Sequence, residues 1–349
     1  MSDMAREPMN VADLGEQLTA FRRLDGATVE QLHIATEEMC CEYAWRDATA
    51  LLSDARAQLR YICTLLDGPC TLREHRELLV QAGWLMLLAG CIEYDTGQYR
   101  HAGRSRRAAF QIGEETGHGE IIAWSFELSS WFALTQGNLQ SVTPYAEAGM
   151  KAAPNSSVVV QLSAQAAKAA ARMGRRDDVH QILDEGYRLL GRHDRPHRPE
   201  NHFVIDPQKW DFYAMDCYRL VRDDKHAAGH AREVLRISRR PDGTDSSPMR
   251  ATEARLTLAM VSARQGELDV AAEWTTAALG AQRKSIDQLM MLTAELEQEV
   301  HRLFPNDPAA RAITEPIEQA KAELRGRVAD ERQLAMGRDA RGPGMWEVE

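Results

Sequence analysis

Apolar residues recur along this chain at helical rather than strand spacing. Val11, Leu14, Leu18 and Phe21 form one stripe over a helix from about Val11 to Leu24, which Asp25-Gly26 closes. Thr28, with Gln31 three residues on, predicts a capping box for a helix running to about Trp45. Asp47 to Leu66 reads as a further amphipathic helix, stopped by Asp67-Gly68-Pro69. Thr71 and Glu74 form a second capping box and open a helix to Tyr94, against which Tyr99 to Glu115 packs back. Regular pairs follow: Glu120–Gln136 with Leu139–Ala153, Ser157–Met173 with Asp177–Leu190, Lys209–Val221 with Lys225–Ser238, and Met249–Gln265 with Leu268–Leu279. A helix from Ser285 to Leu303 and a shorter one near Thr314 to Arg325 end the pattern. Two stretches break it, the long irregular segment Gly191 to Pro207 and the turn-rich Pro241 to Pro248. The longest β-branched run, Val158-Val159-Val160, lies inside an alanine-rich helical pattern, so no sheet is expected.

Each pair shares a grammar. Five and twelve residues beyond Gly97 stand Ala102 and Ala109; beyond Gly137, Val142 and Gly149; beyond Gly174, Val179 and Gly186; beyond Gly266, Ala271 and Ala278. Asp223, without a glycine, gives Ala228 and Leu235 at the same offsets. Small residues there let a second helix cross closely over the first, and a turn glycine takes backbone angles other residues avoid. The anchors are 40, 37, 49 and 43 residues apart, a period of helix-pair repeats. The expected fold is all-α, a right-handed helical solenoid of tetratricopeptide type with about six helix pairs. It divides into a disordered N-terminus (1–10), an N-terminal helical cap (11–70), the solenoid (71–327) and a mobile tail (328–349). Such arrays bind along a concave face, which favours recognition over catalysis.

Composition narrows the classes. The net charge of −10 argues against a whole-surface electrostatic fit to nucleic acid, although Arg104, Arg106 and Arg107, and Arg236, Arg239 and Arg240, form local basic groups. Six cysteines without paired spacing and no signal peptide point to reduced thiols in the cytoplasm. No apolar run approaches the roughly 18 residues of a membrane span. No glycine-rich phosphate loop, nucleophile elbow or metal-ligand motif is present, so neither cofactor nor metal is expected. His226 and His230 stand four apart on one helix but lack the further ligands a metal needs.

The densest cluster of functional side chains is His202-Phe203-Val204-Ile205-Asp206-Pro207-Gln208-Lys209-Trp210-Asp211-Phe212-Tyr213-Ala214-Met215-Asp216-Cys217-Tyr218-Arg219. Here a long loop meets a helix, and Asp206 caps the helix that Lys209 opens. It reads either as a ligand pocket where the loop folds over the concave face, or as a plug whose aromatics staple one repeat to the next. Trp124, Glu127 and Trp131 share a stripe and either hold a cationic or planar ligand or pack between repeats. Gln161, Gln165 and Lys168 share the face of another first helix and make a candidate polar floor. Arg250 opens a further first helix, where a surface pair with Glu253 also accounts for it. The candidate contacts are therefore Trp124, Glu127, Trp131, Gln161, Gln165, Lys168, His202, Asp206, Lys209, Trp210, Asp211, Tyr213, Asp216 and Arg250.

Several stretches resemble a known family. They are Gly83-Trp84-Leu85-Met86-Leu87-Leu88-Ala89-Gly90-Cys91-Ile92-Glu93-Tyr94-Asp95, Glu115-Thr116-Gly117-His118-Gly119-Glu120-Ile121, the 202–219 run, Ser247-Pro248-Met249-Arg250 and Arg283-Lys284-Ser285. Together, over roughly residues 28–305, they are similar to the tetratricopeptide region of actinobacterial XRE-type transcriptional regulators. The resemblance implies a cytoplasmic regulatory repeat domain that senses a peptide or small molecule and self-associates; it brings no catalytic residues. Family members commonly carry an N-terminal helix-turn-helix, whereas residues 10–70 read as long amphipathic helices, so direct DNA binding is not expected. The leading expectation is a regulatory protein that binds a peptide, a small metabolite or a partner protein on its concave face, in transcriptional or specialised-metabolism control. The alternative is an enzyme on the same scaffold, with Asp206, Asp211, Glu127 and either His202 or Tyr213 as acid–base groups. The apolar stripe of Val11 to Leu24 further predicts a homodimer through the N-terminal end.

Overall fold

Short polar residues set several of the helix starts. The computed structural model describes residues 26–281 and 283–323. The Asp47 side chain accepts a hydrogen bond from the Ala50 amide at 2.9 Å and starts a helix at Ala48. Thr71 and Glu74 exchange both bonds of the expected capping box. Thr28 does not cap, because the helix it was expected to open already begins at Gly26.

The helices run in order α1 (Gly26–Glu42), α2 (Ala48–Leu66), α3 (Leu72–Asp95), α4 (Tyr99–Thr116), α5 (Gly119–Thr135), α6 (Leu139–Ala152) and α7 (Val158–Arg172). They continue with α8 (Arg176–Leu190), α9 (Pro207–Leu220), α10 (Asp224–Ser238), α11 (Pro248–Arg264), α12 (Leu268–Leu279) and α13 (Ile286–Leu303). A 3₁₀ turn at Pro308–Ala310 leads into a last helix over 311–323. No strand occurs among the described residues; one bridge joins Arg239 to Asp245. The stripe of Val11, Leu14, Leu18 and Phe21, residues 1–10 and the tail after 328 lie outside the described residues.

The turn grammar holds, with one correction. Gly97, Gly137, Gly174 and Gly266 take positive φ of 78°, 78°, 75° and 81°, two residues past the end of their helices. In the remaining pair that place belongs to Arg222 (φ 62°) rather than to Asp223, whose side chain instead caps α10. Counted from Arg222, the close-crossing residues become Ala227 and Val234, both buried. The left-handed backbone costs a non-glycine residue of order 1 kcal/mol, and the Arg222 guanidinium is held by Glu299 at 2.8 Å.

From α1 to α12 each helix packs on its sequence neighbour, and the first helices of the pairs (α3, α5, α7, α9, α11 and α13) also pack on one another in series. The alanine-rich α7 is buried along nearly its whole length, so its neighbours approach it from every side. The series closes on itself, since α13 also touches α3 and α5. Tyr99 donates to Asp287 at 2.7 Å across that seam, and Arg283 pairs with Asp95 at 2.9 Å. Among the described residues α3 is the one helix long and apolar enough by composition to cross a membrane, and 72% of that window is buried against other helices, the position of a core helix.

Candidate functional site

The closed series of first helices surrounds a cavity of about 110 Å³. Helical spacing aims the polar wall at it. On α7, Gln161, Gln165 and Lys168 repeat at i, i+4 and i+7, and on α5 Glu127 and Trp131 stand at i and i+4. Phe212 and Tyr213 of α9, Arg250 and Glu253 of α11, and Gln288 of α13 complete the circuit. His202, from the long loop, and Tyr43, just past α1, close one side.

Hydrogen bonds fix the wall. Tyr213 donates to the Gln161 carbonyl at 2.5 Å, and the Gln161 amide donates to Glu127 Oε1 at 2.7 Å. The Gln165 amide donates to the same oxygen at 2.8 Å. Burial pushes the Glu127 carboxyl up, although both amides and Lys168 pull against it. Glu253 is pushed up to about 7, chiefly by burial, while Gln288 donates to it at 2.9 Å. The Arg250–Glu253 surface pair anticipated from spacing does not form; Gln288 is the partner Glu253 takes.

His202 is enclosed by rings, 4.1 Å from Tyr43 and 4.9 Å from Phe203 between centroids, and its Nε2 lies 3.6 Å from Cys91 Sγ. Burial, reinforced by Lys209, Arg250 and Arg283, holds its imidazole well below the usual 6.5. The folded state therefore keeps this ring neutral where the unfolded chain protonates it. Stability is lost as pH falls below about 6.5, at up to about 1.4 kcal/mol per pH unit. Urea unfolding of the wild type and His202→Gln between pH 7 and 5 should show a steeper acid loss in the wild type. Equal slopes would show that the ring is not held neutral.

Of the residues anticipated from the sequence, Glu127, Trp131, Gln161, Gln165, Lys168, His202, Tyr213 and Arg250 meet at this cavity. The other six do not line it. Trp124 is fully buried in the core, so it packs between helices and offers no wall to a ligand. Asp206 accepts from the Lys209 amide at 3.0 Å as the start of α9. Lys209 turns away into its own loop and donates to the Asn201 carbonyl at 2.7 Å. Trp210 lies against Gly186, where a Cβ would come within 2.5 Å of the ring, which explains the small residue at that crossing. Asp211 faces His230 at 2.7 Å. Asp216 sits under the floor, paired with Lys168 and Arg172 at 3.4 Å each and with Arg219. The 202–219 run is thus both plug and wall: Lys209 and Trp210 staple, while His202, Phe212 and Tyr213 face the space.

Tyr43, Asp95, Phe212, Glu253 and Gln288 also line the cavity and are not among the anticipated contacts. Glu253 carried a usable signal, since it precedes Gly266 by thirteen residues as Gln161 precedes Gly174. Tyr43 carried none, because it lies before the first repeat. His226 and His230 stack on Tyr218 and bond to Asp223 and Asp211, which accounts for both without an ion. No family model matches the chain, and no curated protein is significantly similar to it.

Proposed function

We propose that this chain is a ligand-sensing regulatory protein, a right-handed solenoid of tetratricopeptide type that works in the cytoplasm in transcriptional or specialised-metabolism control. Its ligand sits in the cavity ringed by the first helices. One observation carries the reading: Glu127, Gln161, Gln165, Lys168, Tyr213 and Glu253 come from four successive first helices to a single small space. Helix packing alone would favour apolar groups there, because a buried polar atom left without a partner costs about 1–3 kcal/mol. Most of these groups partner one another, but the Gln165 carbonyl oxygen is buried without a donor, and a polar atom kept at that cost marks a site in use. The aromatic walls of Trp131, Phe212 and Tyr213 suit a small molecule held by a few placed polar contacts. The resemblance of residues 28–305 to the repeat region of XRE-type regulators supports a regulatory role.

The enzyme alternative is less well supported. Of its acid–base set, Glu127, His202 and Tyr213 face the cavity, whereas Asp206 and Asp211 are engaged elsewhere. Native mass spectrometry of the protein purified from its source should show a non-covalent adduct of small-molecule mass that disappears on denaturation. A bare polypeptide mass, together with no thermal stabilisation by any fraction of a cell extract, would defeat the proposal.

A further inference from the structure

We propose that the cavity is built for a small free zwitterion, its anionic group held by Arg250 at the start of α11 and its cationic group by Glu127 and Gln165. The inference deepens the ligand-sensing reading and rests on it.

The anionic end is defined by donors that the protein leaves unused. Among the described residues the Arg250 guanidinium makes no hydrogen bond and no ion pair; it lies 5.8 Å from the centre of the Phe212 ring, at the cavity wall. Arg250 stands in the first turn of α11, a helix of 17 residues. Ser247 occupies the capping position there, yet its hydroxyl makes no bond to the turn it precedes. That residue is 8% exposed, and its hydroxyl is buried without any partner. Pro248 brings no N–H, and the amides of Met249 and Arg250 precede the first intrahelical bond, from Ala251 to Ser247. Ser285, at the start of the 18-residue α13, repeats the arrangement with its own partnerless hydroxyl on the same wall. Ser157, likewise idle as a cap, is by contrast used by the Ile205 amide at 3.2 Å. Two positive helix ends, two free hydroxyls and one unpaired guanidinium suit a carboxylate or similar anion.

The cationic end is defined by acceptors. Glu127 is 2% exposed, and no lysine or arginine among the described residues reaches it within ion-pair distance. Gln165 is 8% exposed; its amide nitrogen is committed to Glu127, which leaves its carbonyl oxygen buried with no donor. A carboxylate beside a partnerless carbonyl calls for an N–H-bearing cation, and the Trp131 and Tyr213 rings flank the same space. Lys168 does not fill the role, since it is drawn to Asp216 below.

Size limits the occupant. An apolar cavity of roughly 150 Å³ holds one benzene, so about 110 Å³ fits a molecule of no more than about six non-hydrogen atoms, the size of the smallest amino acids, and not a folded-in peptide. An outer groove of about 660 Å³ shares Ala44, Glu200, Phe212, Ser247 and Arg250 with the cavity.

The test uses the full chain, dialysed free of small molecules, with melting and titration calorimetry. The probes are the free α-, β- and γ-amino acids, their N-acetyl and C-amide forms, and tetrapeptides. The expected result is at least one free zwitterion that raises the melting temperature, with either blocked form binding at least ten-fold more weakly. Arg250→Gln should weaken that zwitterion at least ten-fold yet leave its C-amide unchanged, with partial rescue by Arg250→Lys. Glu127→Gln should do the same with respect to the N-acetyl form. Circular dichroism checks that each variant is folded. A neutral or singly charged probe that binds best, or a tetrapeptide that matches the free zwitterion, overturns the inference and leaves ligand sensing standing. If no probe binds, native mass spectrometry decides: a bound zwitterion outside the panel supports the inference, any other bound small molecule overturns it alone, and a bare polypeptide overturns both.

Discussion

Asp216→Ala is expected to lower the unfolding free energy by about 3–5 kcal/mol, because it removes the one carboxylate that three buried or nearly buried cations share. Asp216 is 2% exposed and lies 3.4 Å from both Lys168 and Arg172, with Arg219 bonded to it directly. Without it, Arg172 and Arg219 are left with Glu295, reached by Arg172 at 3.2 Å and also bound by Arg219, while Lys168 loses its ion-pair partner. Burial alone would raise the Asp216 carboxyl, but Lys168, Arg172 and Arg219 outweigh it and hold the group well below its ordinary range. Its stabilising contribution is therefore complete above the unfolded value of about 3.9 and is lost only as pH falls below that value toward the folded one. Urea unfolding at pH 7 measures the loss, and a change under about 1 kcal/mol would mean that the cluster is dispensable.

Much of this architecture was legible in the chain because the governing signals are local. The Thr71–Glu74 box, the glycines at 97, 137, 174 and 266, and the small residues five and twelve positions beyond them depend only on neighbours in sequence. Asp223 misled for the same reason: a cap aspartate beside a missing glycine looks like the turn itself, whereas the left-handed residue is Arg222. Had the register been counted from Arg222, Tyr213 would have fallen nine residues before the turn, as Gln165 does before Gly174. What was not legible is long-range. The meeting of α13 with α3 and α5 brings the first helices round a shared cavity, and no periodicity states where a series of pairs meets itself. Trp124 and Trp131 are seven residues apart on one stripe, yet one is core and the other wall, since Phe203 and His202 of the distant loop lie against Trp124, 5.2 and 6.3 Å away between ring centroids.

Lys209→Met, which keeps most of the side-chain volume and removes its donors, should cost about 2–3 kcal/mol. Lys209 is 1% exposed, and its ammonium reaches back to the carbonyls of Asn201 at 2.7 Å, His202 at 3.5 Å and Val204. Those carbonyls belong to a non-helical segment over 191–206, tied elsewhere by the His202 and Phe203 rings, the Arg198–Glu37 pair and two backbone amides. The His202 amide donates to the Cys40 carbonyl at 3.1 Å, and the Ile205 amide to Ser157 at 3.2 Å. The methionine would leave the inward carbonyls without donors, and water could reach them only if the segment lifted. The loss should therefore be local first: trypsin should cleave the variant after Arg192 faster than the wild type under native conditions, Arg195 and Arg198 being protected by the prolines that follow them. His202 is carried on the same segment and forms part of the cavity wall, so any ligand that stabilises the wild type should stabilise the variant less. Arginine should not rescue it, because a larger planar head has no room at a site this buried. Unchanged cleavage over 191–206, with a stability loss under about 1 kcal/mol, would show that the ring contacts of His202 and Phe203 hold the segment without the lysine.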